Sequence, residues 1–369
     1  MKKRTYILLA IVALLASISP ARAQREAFFD RDYLPSPVFP QFPDLVNLYW
    51  KAWEQAWQQV KNTPGTTRER YFHCDLVLEL LPLRYAPRLF PGVETLDRLH
   101  ETLLDPSALL LAWVESEFYR FSGNEQRLQL LLTRKQYLQR HFSLVDSSAT
   151  SREGLSRQAL AALHVARLAG EINQKEISRN FNSRYKSLKA TLNKQFPDLD
   201  ATDLRPLCLD MLAEVPTLDQ ARRVAALARR ENSRDARDSS LFPLDYISIK
   251  SLERYHFLEE ADDAAYLLLQ HRHELFSMQP SSSPLPLLLH VSLFIENVLG
   301  FHRVDAVNRV VEWRKHHRGL HGIRNLSFGD VTADIIGDDH AIQVQTNGPF
   351  TLIVNGKTHR VRKGTNTFK

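Results

Sequence analysis

The chain has 369 residues, 44% hydrophobic and 24% charged, with 48 Lys and Arg against 42 Asp and Glu for a net charge of +6. Residues 1–23 hold four of those cations and no acid, and without them the charge falls to +2, so charge gives no case for a nucleic acid or a membrane surface as partner. About 345 residues remain, enough to bury a large core as one big domain or two ordinary ones.

The first 23 residues read as a secretory signal: Lys2, Lys3 and Arg4, an apolar run from Tyr6 to Ala16, then Ala21-Arg22-Ala23 before Gln24. The run is too short to span a bilayer, and no cysteine near the cut offers a lipid attachment point. A secreted or periplasmic protein is expected, with no transmembrane anchor after cleavage near Ala23. In such an oxidising compartment Cys74 and Cys208 are either one disulfide or two buried thiols.

Pro35, Pro37, Pro40 and Pro43 predict an extended arm laid over the domain. Pro43 to Val60 is the first predicted helix. Leu45, Leu48, Ala52 and Ala56 lie near one face and Trp50, Trp53 and Trp57 on another. The tryptophan stripe is read as core, with a sugar-stacking platform as the alternative. Three helical segments then follow almost without loops. Asp75 to Tyr85 is broken at Pro82, and Val93 to Leu104 follows it. Leu109 to Phe121 is started by Asp105-Pro106 and stopped by Gly123.

Further predicted helices are Asn124 to Phe142, Ser156 to Ile172, Lys175 to Phe196 and Asp203 to Ala213. Leu218 to Arg230 opens with a Thr217-x-x-Gln220 capping box. Asp245 to Tyr255 and Glu259 to Phe276 make another pair, Leu287 to Leu299 is apolar almost all round and so buried on both sides, and Val304 to His316 is the last helix. Short connections make the neighbours antiparallel. No fixed period supports a TPR or HEAT array.

After Gly322 the period changes to two. Val331, Ala333 and Ile335, then Ile342 and Val344, alternate with polar residues, and Phe350 to Val354 meets Asn355-Gly356, a strong hairpin signal. About four strands are expected, with Ile342, Val344, Phe350 and Ile353 inward. The predicted division is a helical domain at 24–320 and a β tail at 321–369 packed on it, since a unit so small is not stable alone.

Several of these segments resemble the (α/α)6-barrel glycoside hydrolases of the trehalase and mannosylglycerate-hydrolase-like branch. The matching residues are Phe72-His73-Cys74-Asp75, Arg84-Tyr85, Phe90-Pro91-Gly92 with Leu96-Asp97, and Pro106 to Trp113. Further on they are Ile295-Glu296 through Gly300, and His321-Gly322-Ile323-Arg324-Asn325-Leu326 through Gly329. The resemblance implies a mainly α, (α/α)6-toroid-like barrel with a small C-terminal antiparallel β unit, and a carbohydrate as partner.

An inverting glycosidase needs an acid and a base about 6.5–9.5 Å apart. In the similar enzymes the acid lies in an Asp-Asn-(Ser/Thr)-Pro-Arg loop, where this chain has Asp146 to Gly154 without that pattern. The base lies where this chain has Met278 to Pro284 and no carboxylate. A Trp-Arg-Gly-x-x-Trp run is reduced to Ser239 to Phe242 before Asp245-Tyr246. The resemblance therefore implies a glycosidase frame with an impaired hydrolytic site, in a protein that binds carbohydrate or acts as a structural or assembly partner. The alternative is an active enzyme drawing on Asp75 and one of Asp146, Glu153 or Asp245. Asp75 is either a pocket residue or a helix cap, and Asp75 with Trp113 is the candidate sugar-binding pair. Glu296, in an apolar helix, is either a carboxyl whose pKa burial raises, as a catalytic acid needs, or a hydrogen-bonded structural group. His271, His273, His316 and His317 lack metal-ligand spacing, and no cofactor loop is present.

Overall fold

Helices that bury one stripe alternate with helices that are buried nearly all round, and this alternation builds the molecule. The computed structural model describes residues 29–62, 76–90, 92–103, 106–197, 204–232, 242–278 and 288–369. Residues 32–369 form one unit. In chain order, α1 (Pro43–Asn62) precedes α2 (Leu76–Glu79) with its 3-10 turn Leu81–Tyr85, and α3 (Gly92–Thr102) precedes α4 (Leu111–Ser122). Next come α5 (Glu125–Thr133) and α6 (Lys135–Val145) before α7 (Arg152–Glu171), then α8 (Lys175–Gln195) before α9 (Leu204–Leu212). Last are α10 (Leu218–Asn232) before α11 (Phe242–Arg254), and α12 (Leu258–Met278) before α13 (Leu288–Leu293), which runs on into a π turn, Phe294–Val298.

The second member of each hairpin is the inner one. In α7 the run Ala159, Leu160, Ala161, Ala162, Leu163 is buried without a break, and its small side chains let neighbours approach from every side. Its outer partner α8 buries only Phe181 and Leu192 fully and leaves its charged face in water. The inner segments pack in sequence, α4 against α7, α7 against α9, α9 against α11, and α13 against the turn 81–85. Lys250 of α11 reaches Glu296 in the π turn and closes the ring. The result is a mainly α, toroid-like barrel of helical hairpins.

Several local signals act as the residue types predict. Gly123 caps α4 in the left-handed conformation at φ 63°, its N–H donating to the Tyr119 carbonyl. Thr217 and Gln220 exchange side-chain and backbone hydrogen bonds at the start of α10. The tryptophan stripe is core: Trp53 is fully buried and stacks on Phe90 at 5.3 Å, and Trp57 meets the same ring edge-on. Cys208 is buried on α9, and Cys74 lies outside the described residues.

Other expectations are corrected. The single helix from Asn124 to Phe142 is two, because Arg134 turns extended at φ −69°, ψ 109° between them. The predicted last helix, Val304 to His316, is a β-hairpin: Arg303–Asp305 (β2) pairs with Val310–Trp313 (β3), with Val304 opposite Val311. Its valines favour a pleated strand over a helix, and Asp305 caps the turn by accepting from the Asn308 N–H at 2.9 Å.

The tail has more than four strands. Ser36–Val38 (β1), His321–Phe328 (β4), Val331–Gly337 (β5), Ile342–Thr346 (β6) and Gly364–Phe368 (β9) form one antiparallel sheet in the order β1-β4-β5-β6-β9. In the other, β2 and β3 join Phe350–Val354 (β7) and Lys357–Val361 (β8), and β3 runs parallel to β7. Leu352 and Val354 point into the core and Ile353 is half-buried, one residue out of the expected phase; Ile342 is half-buried as well.

The proline-rich arm is tied down as a strand. A bulge between Ile323 and Leu326 places Asn325 at φ 55°, and its side chain donates to the Asp32 and Leu34 carbonyls at 2.5 and 3.1 Å. The β unit grips the barrel through Trp313, which is fully buried, stacks on Phe301 at 5.2 Å and donates its indole N–H to the Leu299 carbonyl at 2.8 Å. Gly300 is required beside it: a Cβ there would lie 2.1 Å from the Arg314 carbonyl oxygen.

Candidate functional site

A central cavity of about 380 Å³ lies where the inner segments end. Tyr85, Phe121, Leu212 and Arg254 stand at or next to the C-terminal ends of four of them and line it, and Glu312 of β3 forms part of its wall. Two helices supply most of its chemistry by simple spacing. In α4, Trp113, Glu117 and Arg120 fall at i, i+4 and i+7, and in α11, Tyr246, Lys250 and Glu253 do the same.

The deepest feature is a chain of charges. Glu296 is carried inward by the π turn, whose wider winding is marked by the Leu299 N–H donating to the Phe294 carbonyl. Arg84 donates to it at 2.5 Å, the Tyr85 hydroxyl at 2.9 Å, and the Lys250 ammonium pairs with its other oxygen. Lys250 also donates to Glu253 at 2.8 and 2.9 Å. Asn297 bridges onward, donating to Glu253 at 2.8 Å and to Asp262 at 3.1 Å, and Asp262 pairs with His302 and Arg314. Each buried charge thus has an opposite charge and a directed hydrogen bond, as burial demands.

The network fixes the protonation states. Burial pushes the Glu296 carboxyl up, but Lys250, Arg84 and the hydrogen bonds together outweigh it and hold the group below the usual carboxylate range. Of the two readings of Glu296, the hydrogen-bonded group therefore holds and the raised pKa does not, because the carboxylate is buried among cations. Burial pulls the Lys250 ammonium down, but Glu253 and Glu296 drive it well above its ordinary value. His164, whose Nδ1 meets the Ser116 hydroxyl at 2.9 Å, is pushed well below its ordinary pKa by burial, with Arg167 and Arg120 adding to the effect, and so is neutral.

Other charged groups line the cavity wall beside this network. Glu117, Arg120 and Glu312 have no side-chain hydrogen-bond or ion-pair partner among the described residues. Glu117 cannot share a face of α4 with Glu115, two positions before it. That separation is real: Glu115 is fully buried on the other side of α4, engaged by Arg127 and His100.

Of the residues singled out from sequence, Glu296 and Trp113 line the cavity, Trp113 at 5% exposure, and Asp146, Glu153 and Asp245 do not. Asp75 lies outside the described residues. Asp146 is exposed and held by Arg184 at 2.7 and 2.9 Å. Glu153 is engaged by Arg157 at 2.6 Å and Arg205 at 3.4 Å. Asp245 is half-buried near the start of α11, and burial pushes its carboxyl up to about 7 against the pull of Arg272. Asp146, Glu153 and Asp245 belong to the end of the barrel where inner helices begin, opposite the cavity. Among the described residues no group of His, Cys, Asp and Glu is arranged to hold a metal ion, and no helix is long and apolar enough to cross a membrane.

No protein-family model matches the sequence, and no curated protein sequence does. Solved structures do match. An α-L-rhamnosidase from Dictyoglumus thermophilum superposes with a TM-score of 0.50 at 11% identity, over 71% of this chain and 39% of that one. The helical body has the fold of the α/α-toroid glycosidases. An α-L-rhamnosidase from Aspergillus terreus gives a TM-score of 0.49 at 12% identity, over 71% of this chain and 38% of that one. The match thus spans about two-fifths of either rhamnosidase's own length.

Proposed function

We propose that this chain is a secreted, glycosidase-like protein that binds carbohydrate in its central cavity and does not hydrolyse it. One observation carries the second half of that reading. Asp146 and Glu153, the two carboxylates in the segment where similar enzymes keep their acid, are both engaged by arginines. Held by guanidiniums at the opposite end of the barrel, neither carboxylate reaches a leaving oxygen in the cavity. The binding half is supported by the cavity's free Glu117, Arg120 and Glu312 beside Trp113, groups that suit hydroxyl recognition and ring contact.

A second reading, an active inverting glycosidase with displaced acid and base, is favoured by Asp245. A carboxyl pushed up to about 7 is suited to general acid work near neutrality. Reducing-sugar release from a panel of α-glucosides, α-mannosides and rhamnosides separates the two. No turnover by the wild type is expected. Turnover that Asp245→Asn abolishes establishes the second reading in its place.

A further inference from the structure

A second chamber of about 400 Å³ adjoins the central cavity, and the two share Leu258, His302 and Glu312 in their walls. The strand pattern explains the shared wall. Along β3, Val311 and Trp313 are fully buried, so the alternate residues Glu312 and Arg314 project from the opposite face. The floor of the second chamber is pinned by Asn355, which accepts from the Lys315 N–H at 2.8 Å and donates to the Lys315 carbonyl at 3.0 Å. Those bonds hold the β7–β8 hairpin against β3. The Lys315 side chain has no hydrogen-bond or ion-pair acceptor among the described residues, and it lines this chamber and not the central cavity.

Resting on the carbohydrate reading above, we propose that the binding site runs from the central cavity past Glu312 into this second chamber, and that its ligand is an oligosaccharide with at least one unit in each. Either chamber alone lies within the ~300–1,000 Å³ usual for small-molecule sites, so a single sugar leaves half the walled volume unused. Glu312 stands between them with an uncommitted carboxylate that accepts hydroxyls from successive units. Glu117 and Arg120 serve the first unit, and Lys315 and His316 the next.

The test is calorimetric titration with ladders of α-linked glucose, mannose and rhamnose, from one unit to about six. Affinity for the ladder that binds is expected to rise about tenfold or more between one unit and three. His316→Trp, which fills the second chamber from an exposed position, is expected to remove that rise and leave single-unit binding in place. Lys315→Met, which keeps the backbone bonds to Asn355, is expected to weaken only the longer members. Affinity flat with length in the wild type, or a rise that survives both variants, overturns the extension alone. Absence of binding by every ladder overturns the proposed function and the extension with it.

Discussion

Arg84 and Glu296, 212 residues apart in sequence, meet at 2.5 Å inside the barrel and join the first hairpin to the last. Glu296 is also a partner of Lys250, so two buried cations share one carboxylate, with Glu253 a second partner for Lys250 alone. Glu296→Gln keeps the shape and removes the charge. It is expected to cost about 3–5 kcal/mol, the range for breaking a buried pair from one side. Urea denaturation of wild type and variant measures it, and a loss under about 1 kcal/mol shows that water reaches the cations and the network is not closed.

The arm and the β unit are expected to hold the barrel together. Phe39 is buried against Phe294 of the π turn and the ring of His317. Phe39→Ala is expected to destabilise by about 3–5 kcal/mol. Ending the chain after Phe301 removes Trp313 and its stack and is expected to abolish soluble expression. A well-folded truncated product with an unchanged far-ultraviolet helix signal contradicts this.

Stability is expected to fall with acid in two stages. Burial lowers the His141 pKa to about 3 and that of His290 to about 3, in each case from 6.5. Both stay neutral in the fold, while the unfolded chain takes up protons below pH 6.5. Their contribution is therefore complete above 6.5 and is lost as pH falls toward 3. Glu115 follows: burial raises its pKa, but His100 and Arg127 bring it from 4.5 to about 2, so its share is complete above 4.5 and fades toward 2. Thermal melts between about pH 8 and pH 4 should show Tm falling before the carboxylates titrate; a flat Tm down to about pH 5 rules the histidine stage out.

Sugar binding is expected to depend on Glu117. Glu117→Gln removes a charged acceptor that has no hydrogen-bond or ion-pair partner within the described structure, only the longer-range field of Arg84. Binding should weaken by about 1.5–3 kcal/mol, roughly tenfold to a hundredfold, with at most a small fall in melting temperature. Equal affinity in the variant moves the sugar away from α4.

Processing is the simplest test of location. The mature chain is expected to begin at about Gln24 and to be recovered outside the cytoplasm. N-terminal sequencing that returns Met1 or Lys2 from the soluble fraction contradicts this.

Helix identity was legible where spacing and caps agree, as at Gly123 and at Thr217 with Gln220. The stretch from Val304 to Trp313 was misread because its valines satisfy a helical period over one turn as well as a strand period. Only the parallel pairing with β7, made by residues about forty positions later, decides between them. The site was half legible. Arg84-Tyr85 and Glu296 were visible as separate segments, but nothing local says that they touch. Lys250, Glu253 and Arg120 looked like ordinary helix-surface charges, since the inward face of α11 is as polar as an exposed one. The spacing Trp113, Glu117, Arg120 was readable, yet it acquires meaning only once the ring closes around it.

Asn325 binds the carbonyl of Leu34, made 291 residues earlier. On a ribosome, β1 emerges and then has no sheet partner until β4 follows, after all the helices described above. Helical hairpins along the way can form as they appear, because their contacts are local; the first sheet cannot. Completion of that sheet is thus timed by the appearance of β4. A chain stopped anywhere before β4 carries a bare strand edge, the kind of surface on which unfinished chains adhere to one another.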